Sequence, residues 1–344
     1  MNFRVDRWRT VALRSSLVIL TTAGALLLSS CGGGGQSSQT RRFSPTRMIV
    51  FGDESSLLLP PSTPSGLDAR KYSVNVAADS TDDATINPTI DCRFNLLWVQ
   101  QLAARYGLVF AECNPAGAPV TAQMRATVGG MVADVVAAVD AFLASSAPVP
   151  TDLITMMVGT NDVLEIYNSV KSDGLLQNAA VAEIERRAEL LASQVNRLVN
   201  SNNTRGRVMY STVPDVNLTP FGVSKSSTDR TLLKLLTDSF NEKFRGKVAL
   251  NGRSLGLLRT DQRFRNLIDF VRQGKSGSGS SSDVSNVTAA SCLDPVDLLT
   301  CTNTTLVSGA TSTNHLWAGN INFSAAGHIL VGNDAIDLAT SLPW

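Results

Sequence analysis

The stretch Met48-Ile49-Val50-Phe51-Gly52-Asp53-Glu54-Ser55-Ser56 decides the fold. Four apolar residues run straight into a glycine and then a polar turn. A short apolar run of this kind, closed by turn residues, is the pattern of a strand buried on both faces. The pattern returns at Leu153–Val158, which closes on Gly159-Thr160-Asn161-Asp162, and again at Val208–Val213. A further strand is predicted at Leu108–Ala111.

Helical spacing separates these runs. Phe94–Tyr106 places Leu97, Trp98 and Leu102 on one face and stops at Gly107, a C-terminal cap. Met124–Leu143 reads as one long amphipathic helix closed by Pro148 and Pro150. Val181–Val199 carries Glu183 four residues ahead of Arg187, a supporting ion-pair spacing. Leu232–Phe244 and Ser324–Ser341 complete the set, with Ser324 as N-cap of the last helix. Strand runs alternating with helices predict an α/β fold, a doubly wound, flavodoxin-like parallel sheet with helices on both faces. No repeat or linker interrupts the chain after Thr46, so residues 46–344 are read as one domain. Leu59–Asp91 fits no helix and reads as an insertion with a short hairpin, and Lys275–Ser282 is a Ser/Gly-rich loop.

Composition bounds the function. The chain has 344 residues, 43% hydrophobic and 17% charged, with a formal net charge of +1. A balanced charge offers no basic surface for nucleic acid. The basic residues Arg4, Arg7, Arg9 and Arg14 precede an apolar stretch from Leu17 to Leu28. That stretch is shorter than the ~20 apolar residues a spanning helix needs, and residues 1–30 read as a signal peptide. Leu28-Ser29-Ser30-Cys31 resembles a bacterial lipobox, which implies that Cys31 carries a lipid and becomes the first mature residue. Residues 31–45, opening on Gly32–Gly35, then form a flexible tether. Glycine rather than aspartate after Cys31 points by analogy to the outer membrane, so the membrane is the expected partner, reached through the lipid. Cys92, Cys113, Cys292 and Cys301 remain, an even number in an exported chain, which predicts disulfides. Proximity favours Cys92–Cys113 and Cys292–Cys301 among the three possible pairings. Two histidines and no CxxC pair make zinc a poor alternative, and no metal or other cofactor is expected.

Three segments carry the functional reading: Gly52-Asp53-Glu54-Ser55 after the first strand, Gly159-Thr160-Asn161-Asp162 after a later one, and Leu316–His328 leading into the last helix. In order and spacing they resemble the GDS, GxND and DxxH blocks of SGNH/GDSL hydrolases. Val213-Pro214-Asp215, Thr219-Pro220 and Phe240-Asn241 add to the likeness, which covers most of the mature chain. The resemblance implies a serine nucleophile, a histidine base, an aspartate that orients it, and an oxyanion hole of backbone N–H, glycine and asparagine. Carried over position by position, the serine is Glu54, the aspartate is Gly319 and the histidine is Asn322. A carboxylate is a poor acyl nucleophile, and neither glycine nor asparagine is a base at neutral pH. Asn161 matches the oxyanion asparagine, with a local turn role as its plain alternative. Gly117, in Asn114-Pro115-Ala116-Gly117, is the loose match for the oxyanion glycine.

These substitutions lead to a non-hydrolytic binding or structural envelope lipoprotein, with an acyl-ester or acetylated-glycan ligand implied by the family. The alternative is an active esterase using a shifted serine, Ser55, with His315 as base. A third reading has the insertion Leu59–Asp91 contacting a partner. His328 matches the family's structural Gly-His. Asp53, Glu54 and Asp162 crowd one sheet edge, where a hard cation such as calcium is conceivable but turn capping is the simpler role.

Overall fold

The computed structural model describes residues 42–61, 68–79, 88–200, 206–249, 253–275 and 284–341. The signal peptide, Cys31 and most of the tether lie outside the described residues, as do parts of the insertion and nearly all of Lys275–Ser282. From Arg42 onward the chain clusters as one compact unit.

Five parallel strands form the central sheet: β1 (Arg47–Gly52), β2 (Ala122–Ala126), β3 (Asp152–Met157), β4 (Arg207–Ser211) and β5 (Leu255–Leu258). Their order is β2-β1-β3-β4-β5, the doubly wound arrangement with its switch point between β1 and β3. Around it pack α1 (Trp98–Arg105), α2 (Val132–Ser145), α3 (Thr160–Ser172), α4 (Gln177–Asn200), α5 (Ser227–Lys247), α6 (Thr260–Arg272) and α7 (Ala325–Thr340). A separate parallel pair, β6 (Asn286–Ala290) and β7 (His315–Trp317), precedes α7.

Strand alternation sorts the core into two layers. Met48 and Val50 of β1 join Trp98, Leu102, Phe264, Ile268 and Leu330 on one face. Ile49 and Phe51 join Val139, Phe142, Ile184, Leu191, Leu233 and Phe240 on the other. Every β3 residue is buried, as the apolar run Leu153–Val158 predicts for a central strand.

Two sequence expectations fail. Met124–Leu143 is not one helix: Ala122–Ala126 pairs in register with β1, and α2 starts only at Val132. The break is Thr127-Val128-Gly129-Gly130, where two glycines weaken helix and permit a turn. Leu108–Ala111 is not a sheet strand; Phe110 makes a single parallel bridge to Ala122 before a 3₁₀ turn at Ala111–Cys113. The chain also forms β5, α6 and β6, which were not anticipated.

In place of one hairpin, the described part of the insertion makes two separate antiparallel bridges, Leu58–Lys71 and Ala77–Ile90. It is fastened to the end of the chain: Ser73 Oγ donates to the Phe323 carbonyl, Asn75 Nδ2 to Leu298, and Asn75 N to Cys301. Cys92–Cys113 ties it to the loop before β2, and Cys292–Cys301 closes a nine-residue loop, the pairings that proximity favoured.

His328, on α7, is fully buried against Phe323 with neither ring nitrogen hydrogen-bonded. Burial first, then the nearby Lys71 ammonium, lower its pKa to about 3. This is the packing role expected for the Gly-His position. The unfolded chain therefore takes up a proton near pH 6.5 that the folded chain refuses until about pH 3, so this residue makes stability fall on acidification through that window. Denaturant unfolding at pH 6 and pH 4 is expected to show a steeper loss in the native chain than in His328→Leu. The limiting slope is about 1.4 kcal/mol per pH unit, and equal slopes would refute the assignment.

Candidate functional site

The site lies where β1, β2 and β3 end, at the crevice outside the carboxyl edge of the sheet. Gly52 ends β1 at φ 153°, and a Cβ there would stand 2.3 Å from the Met157 carbonyl oxygen, so only glycine fits. Its carbonyl accepts Thr127 N at 3.0 Å, and Asp53 N donates to Met157 O at 3.1 Å. The turn is thus braced from both neighbouring strands. It closes when Ser56 N reaches the Asp53 carbonyl at 3.0 Å.

This turn sends successive side chains in different directions. Asp53 is buried and accepts Ser55 N on Oδ1 at 2.9 Å. Ser56 turns into the core and accepts the Trp98 indole N–H at 3.1 Å. Glu54, 8% exposed, points to the loops after β2 and β3. Its Oε2 accepts Gly129 N at 3.0 Å, and Asn161 Nδ2 lies 3.1 Å from Oε2 and 3.3 Å from Oε1. Asn161 Nδ2 also reaches the Gly130 carbonyl at 3.2 Å, which fixes the amide orientation.

One backbone N–H from a glycine loop and one asparagine amide thus converge on the Glu54 carboxyl group. Asn161, the candidate oxyanion asparagine, is one of these two donors. Gly117, the candidate oxyanion glycine, is not. It sits in an exposed turn at φ 63°, held by Asn114, with nothing near its Cβ position and no hydrogen bond to Glu54 or Asn161 among the described residues. Gly129 supplies the N–H instead. The Gly129-Gly130 pair is the signal in the sequence, masked by the helical spacing of Met124–Leu143 around it.

Glycine geometry holds the hole open. A Cβ on Gly130 would lie 2.9 Å from the Gly52 carbonyl oxygen. Gly159, at φ 130°, abuts Phe240 and Val213, where a Cβ would come within 2.6 and 2.7 Å. Asn241 clamps the same loop through paired 2.8 Å bonds with Val213 N and O. This gives physical content to the Phe240-Asn241 and Val213-Pro214 blocks.

The carboxylates near the turn are occupied locally. Asp162 Oδ2 accepts Val132 N at 3.0 Å, capping α2, and Oδ1 meets Arg187 at 3.1 Å. Burial raises its pKa against those two partners. Burial first, and then the Glu54 charge, raise the Asp53 pKa well above its ordinary value. Among the described residues no group of three or more His, Cys, Asp or Glu is arranged to hold a metal ion.

The remaining triad positions are filled differently. Gly319 is buried, and a Cβ there would meet Leu298 Cδ1 at 2.7 Å and Asn322 Oδ1 at 3.0 Å. Leu298, from the Cys292–Cys301 loop, thus stands where an aspartate side chain would project. Asn322 is 9% exposed; its carbonyl accepts Ala318 N, and its amide makes no hydrogen bond among the described residues. The shifted dyad is not assembled. The Ser55 backbone and hydroxyl turn to Asp53, while His315 Nδ1 pairs with Asn314 Oδ1 at 2.7 Å. Among the described residues no hydrogen bond joins Ser55 to His315. Burial lowers the His315 pKa, keeping its ring neutral.

Solved structures similar to this chain include a member of the lipolytic protein G-D-S-L family from Veillonella parvula DSM 2008. It is 13% identical, with 86% of this chain and 99% of that one covered, at a TM-score of 0.41. The lipase Lip_vut3 from a goat rumen metagenome is 10% identical over 87% and 99%, at a TM-score of 0.45. Phospholipase A1 from Streptomyces albidoflavus NA297 is 12% identical over 86% and 100%, at a TM-score of 0.41. No protein-family model matches the sequence, and no curated protein matches it. The fold itself is α/β with a parallel sheet, defined by the chain's own strand order.

The bonds from Asn161 to Glu54 make a measurable coupling. Removing a partner from a buried charged acceptor costs about 1–3 kcal/mol. Asn161→Ala is therefore expected to lower unfolding stability by roughly that amount, and by much less in a Glu54→Ala background. A denaturation double-mutant cycle with additive losses would disprove the contact.

Proposed function

We propose that this chain is a lipid-anchored envelope protein of SGNH/GDSL-like fold that binds a ligand without hydrolysing it. One observation carries the reading. The side chain at the nucleophile position is a carboxylate, and it lies on the donors that would stabilise an oxyanion. In an active site those donors must wait for charge that develops only in the transition state. Here Gly129 N and Asn161 Nδ2 are already satisfied by the Glu54 carboxyl group. A substrate carbonyl would have to displace Glu54, leaving that carboxyl group buried and unpaired, which is costly. Leu298 at the aspartate position and an asparagine at the histidine position support the same reading, because no base is left to activate a nucleophile.

The lipid anchor at Cys31 and the outer-membrane location rest on the lipobox-like Leu28-Ser29-Ser30-Cys31 and the following glycine. No described helix is long and apolar enough to cross a membrane, so attachment would depend on the lipid. Radioactive palmitate is expected to label the wild-type protein and not Cys31→Ala, with membrane partitioning lost in parallel. Label retained by the variant would rule out the anchor.

The catalytic reading has its own test. The native protein is expected neither to react with fluorophosphonate serine probes nor to hydrolyse activated aryl esters above background. Loss of the nucleophile alone removes on the order of a million-fold in turnover in a triad enzyme. Glu54→Ser, Gly319→Asp and Asn322→His together are expected to give weak esterase activity, higher when Leu298→Ala makes room for the aspartate. Adding Asn161→Ala should cut that activity by about 100-fold. Strong activity of the native chain, abolished by Ser55→Ala and kept by Glu54→Ala, would establish the shifted-serine esterase instead.

A further inference from the structure

The amino edge of the sheet lies opposite the crevice, and the segment entering β1 runs through it from Arg42 and Phe43. Because the five strands are parallel, the residues that directly precede each strand gather at this edge. Met48 N donates to the Thr121 carbonyl and Thr46 N to the Thr151 carbonyl, both at 3.0 Å. The segments before β2 and β3 therefore flank the entering segment. Each carries an exposed apolar residue next to its strand, Val120 at 53% exposure and Val149 at 40%. Arg207 opens β4 and stacks its guanidinium 4.2 Å from the centre of the Phe43 ring. Arg105 is exposed in the last turn of α1, and the charges of Arg105 and Arg207 both reach Tyr106. Arg42 is exposed beside Phe43. Basic and apolar side chains thus alternate on one surface around the start of β1.

Little negative charge is set against them. Asp152 is fully buried, and Arg47 takes its carboxylate through contacts of 2.8 and 2.6 Å. Asp337, exposed in the last turn of α7, offsets one positive charge. A helix-end role explains Arg105, which meets the negative end of the α1 dipole. It does not explain Arg42 or Arg207, which sit at no helix end. Guanidinium groups interleaved with exposed aliphatic side chains fit the surface of an anionic bilayer. There the charges meet phosphate headgroups and the apolar groups enter the interfacial layer. A nucleic-acid backbone would use the arginines and leave the valines in water.

Covalent reach leads to the same partner. Cys31 lies eleven residues before Arg42, and that length of chain spans at most about 40 Å. The crevice is one strand further away, and the six residues of β1 add about 20 Å. We infer that the amino edge, around Arg42, Arg105 and Arg207, rests on an anionic phospholipid surface and turns the Glu54 crevice toward the aqueous space. The inference rests on the lipid anchor proposed above and adds the face of the domain that meets the bilayer.

The test mixes the full chain, purified in detergent, with phosphatidylcholine vesicles made with or without phosphatidylglycerol and carrying a rhodamine headgroup acceptor. Donor dyes are placed on Ser341→Cys, beside Tyr106 at the amino edge, and on Val128→Cys, after β2 at the carboxyl edge. With phosphatidylglycerol present, transfer from position 341 is expected to exceed that from 128 by about twofold or more, given the strand length between them. The excess should fall without the anionic lipid and at high salt, which screens the charges. Arg42→Glu with Arg105→Glu should weaken the phosphatidylglycerol-dependent contact by roughly tenfold or more, since each arginine near such a surface contributes about fivefold. The lipid and salt comparisons use the native arginines, so they stand if charge reversal disturbs folding. Equal transfer from the two sites, or a contact indifferent to anionic lipid, would overturn the surface. The anchor fails separately. A chain that takes no palmitate yet keeps the arginine-dependent contact would refute the anchor and support the surface, while a palmitate-labelled chain with equal transfer from both sites would refute the surface alone.

Discussion

A buried carboxylate must be paired or hydrogen-bonded, because an isolated charge cannot remain in a low-dielectric interior. Glu54 meets that demand with Gly129 N and Asn161 Nδ2. The two donors come from the loops after β2 and β3, while the acceptor comes from the turn after β1. Three strands that run parallel and end at one edge are therefore drawn together by one anion. The glycines at 52, 130 and 159 are needed for the same reason, since each permits a backbone approach that a Cβ would prevent.

The same pairing sets the charge state of its neighbour. Asp53 is buried beside Glu54, and two adjacent buried carboxylates do not both ionise at little cost. Glu54 has the two donors from neighbouring loops, whereas Asp53 has its own Ser55. The neutral form is accordingly favoured at Asp53, while the Glu54 carboxyl group takes the two donors from the neighbouring loops. This division suits a site whose donors are already occupied in the resting protein. It makes little sense for one that must generate charge during a reaction, where the donors have to strengthen their grip as the barrier is climbed.

The sheet was legible because its central strands are the most buried part of the chain. Met48–Phe51 and Leu153–Val158 read as strands from composition alone, and both the α/β class and the two disulfides follow from features close in sequence. β2 was not legible. Ala122–Ala126 is a five-residue edge strand containing Gln123 and Arg125, and it runs directly toward a helix whose apolar spacing masks the boundary. With that strand hidden, the glycine that meets Glu54, Gly129, was hidden too, and Gly117 offered a looser match. Asn161 was easier to place because its block directly follows β3. Leu298 had no local signal at all, since its role depends on a disulfide loop folding over a turn some twenty residues later.

The three positions that correspond by resemblance to a triad are held in three different ways. Glu54 is compensated electrostatically by donors that the fold already provided. The glycine at 319 is compensated sterically, with Leu298 packed into the room its missing side chain leaves. Asn322 is mostly buried, and its backbone carbonyl holds the turn by accepting Ala318 N. At 54 the holding contact is electrostatic, at 319 it is steric, and at 322 it runs through the backbone. Replacing any one of the three therefore disturbs a different kind of contact, and the packing around 319 has no room for a larger side chain unless Leu298 moves.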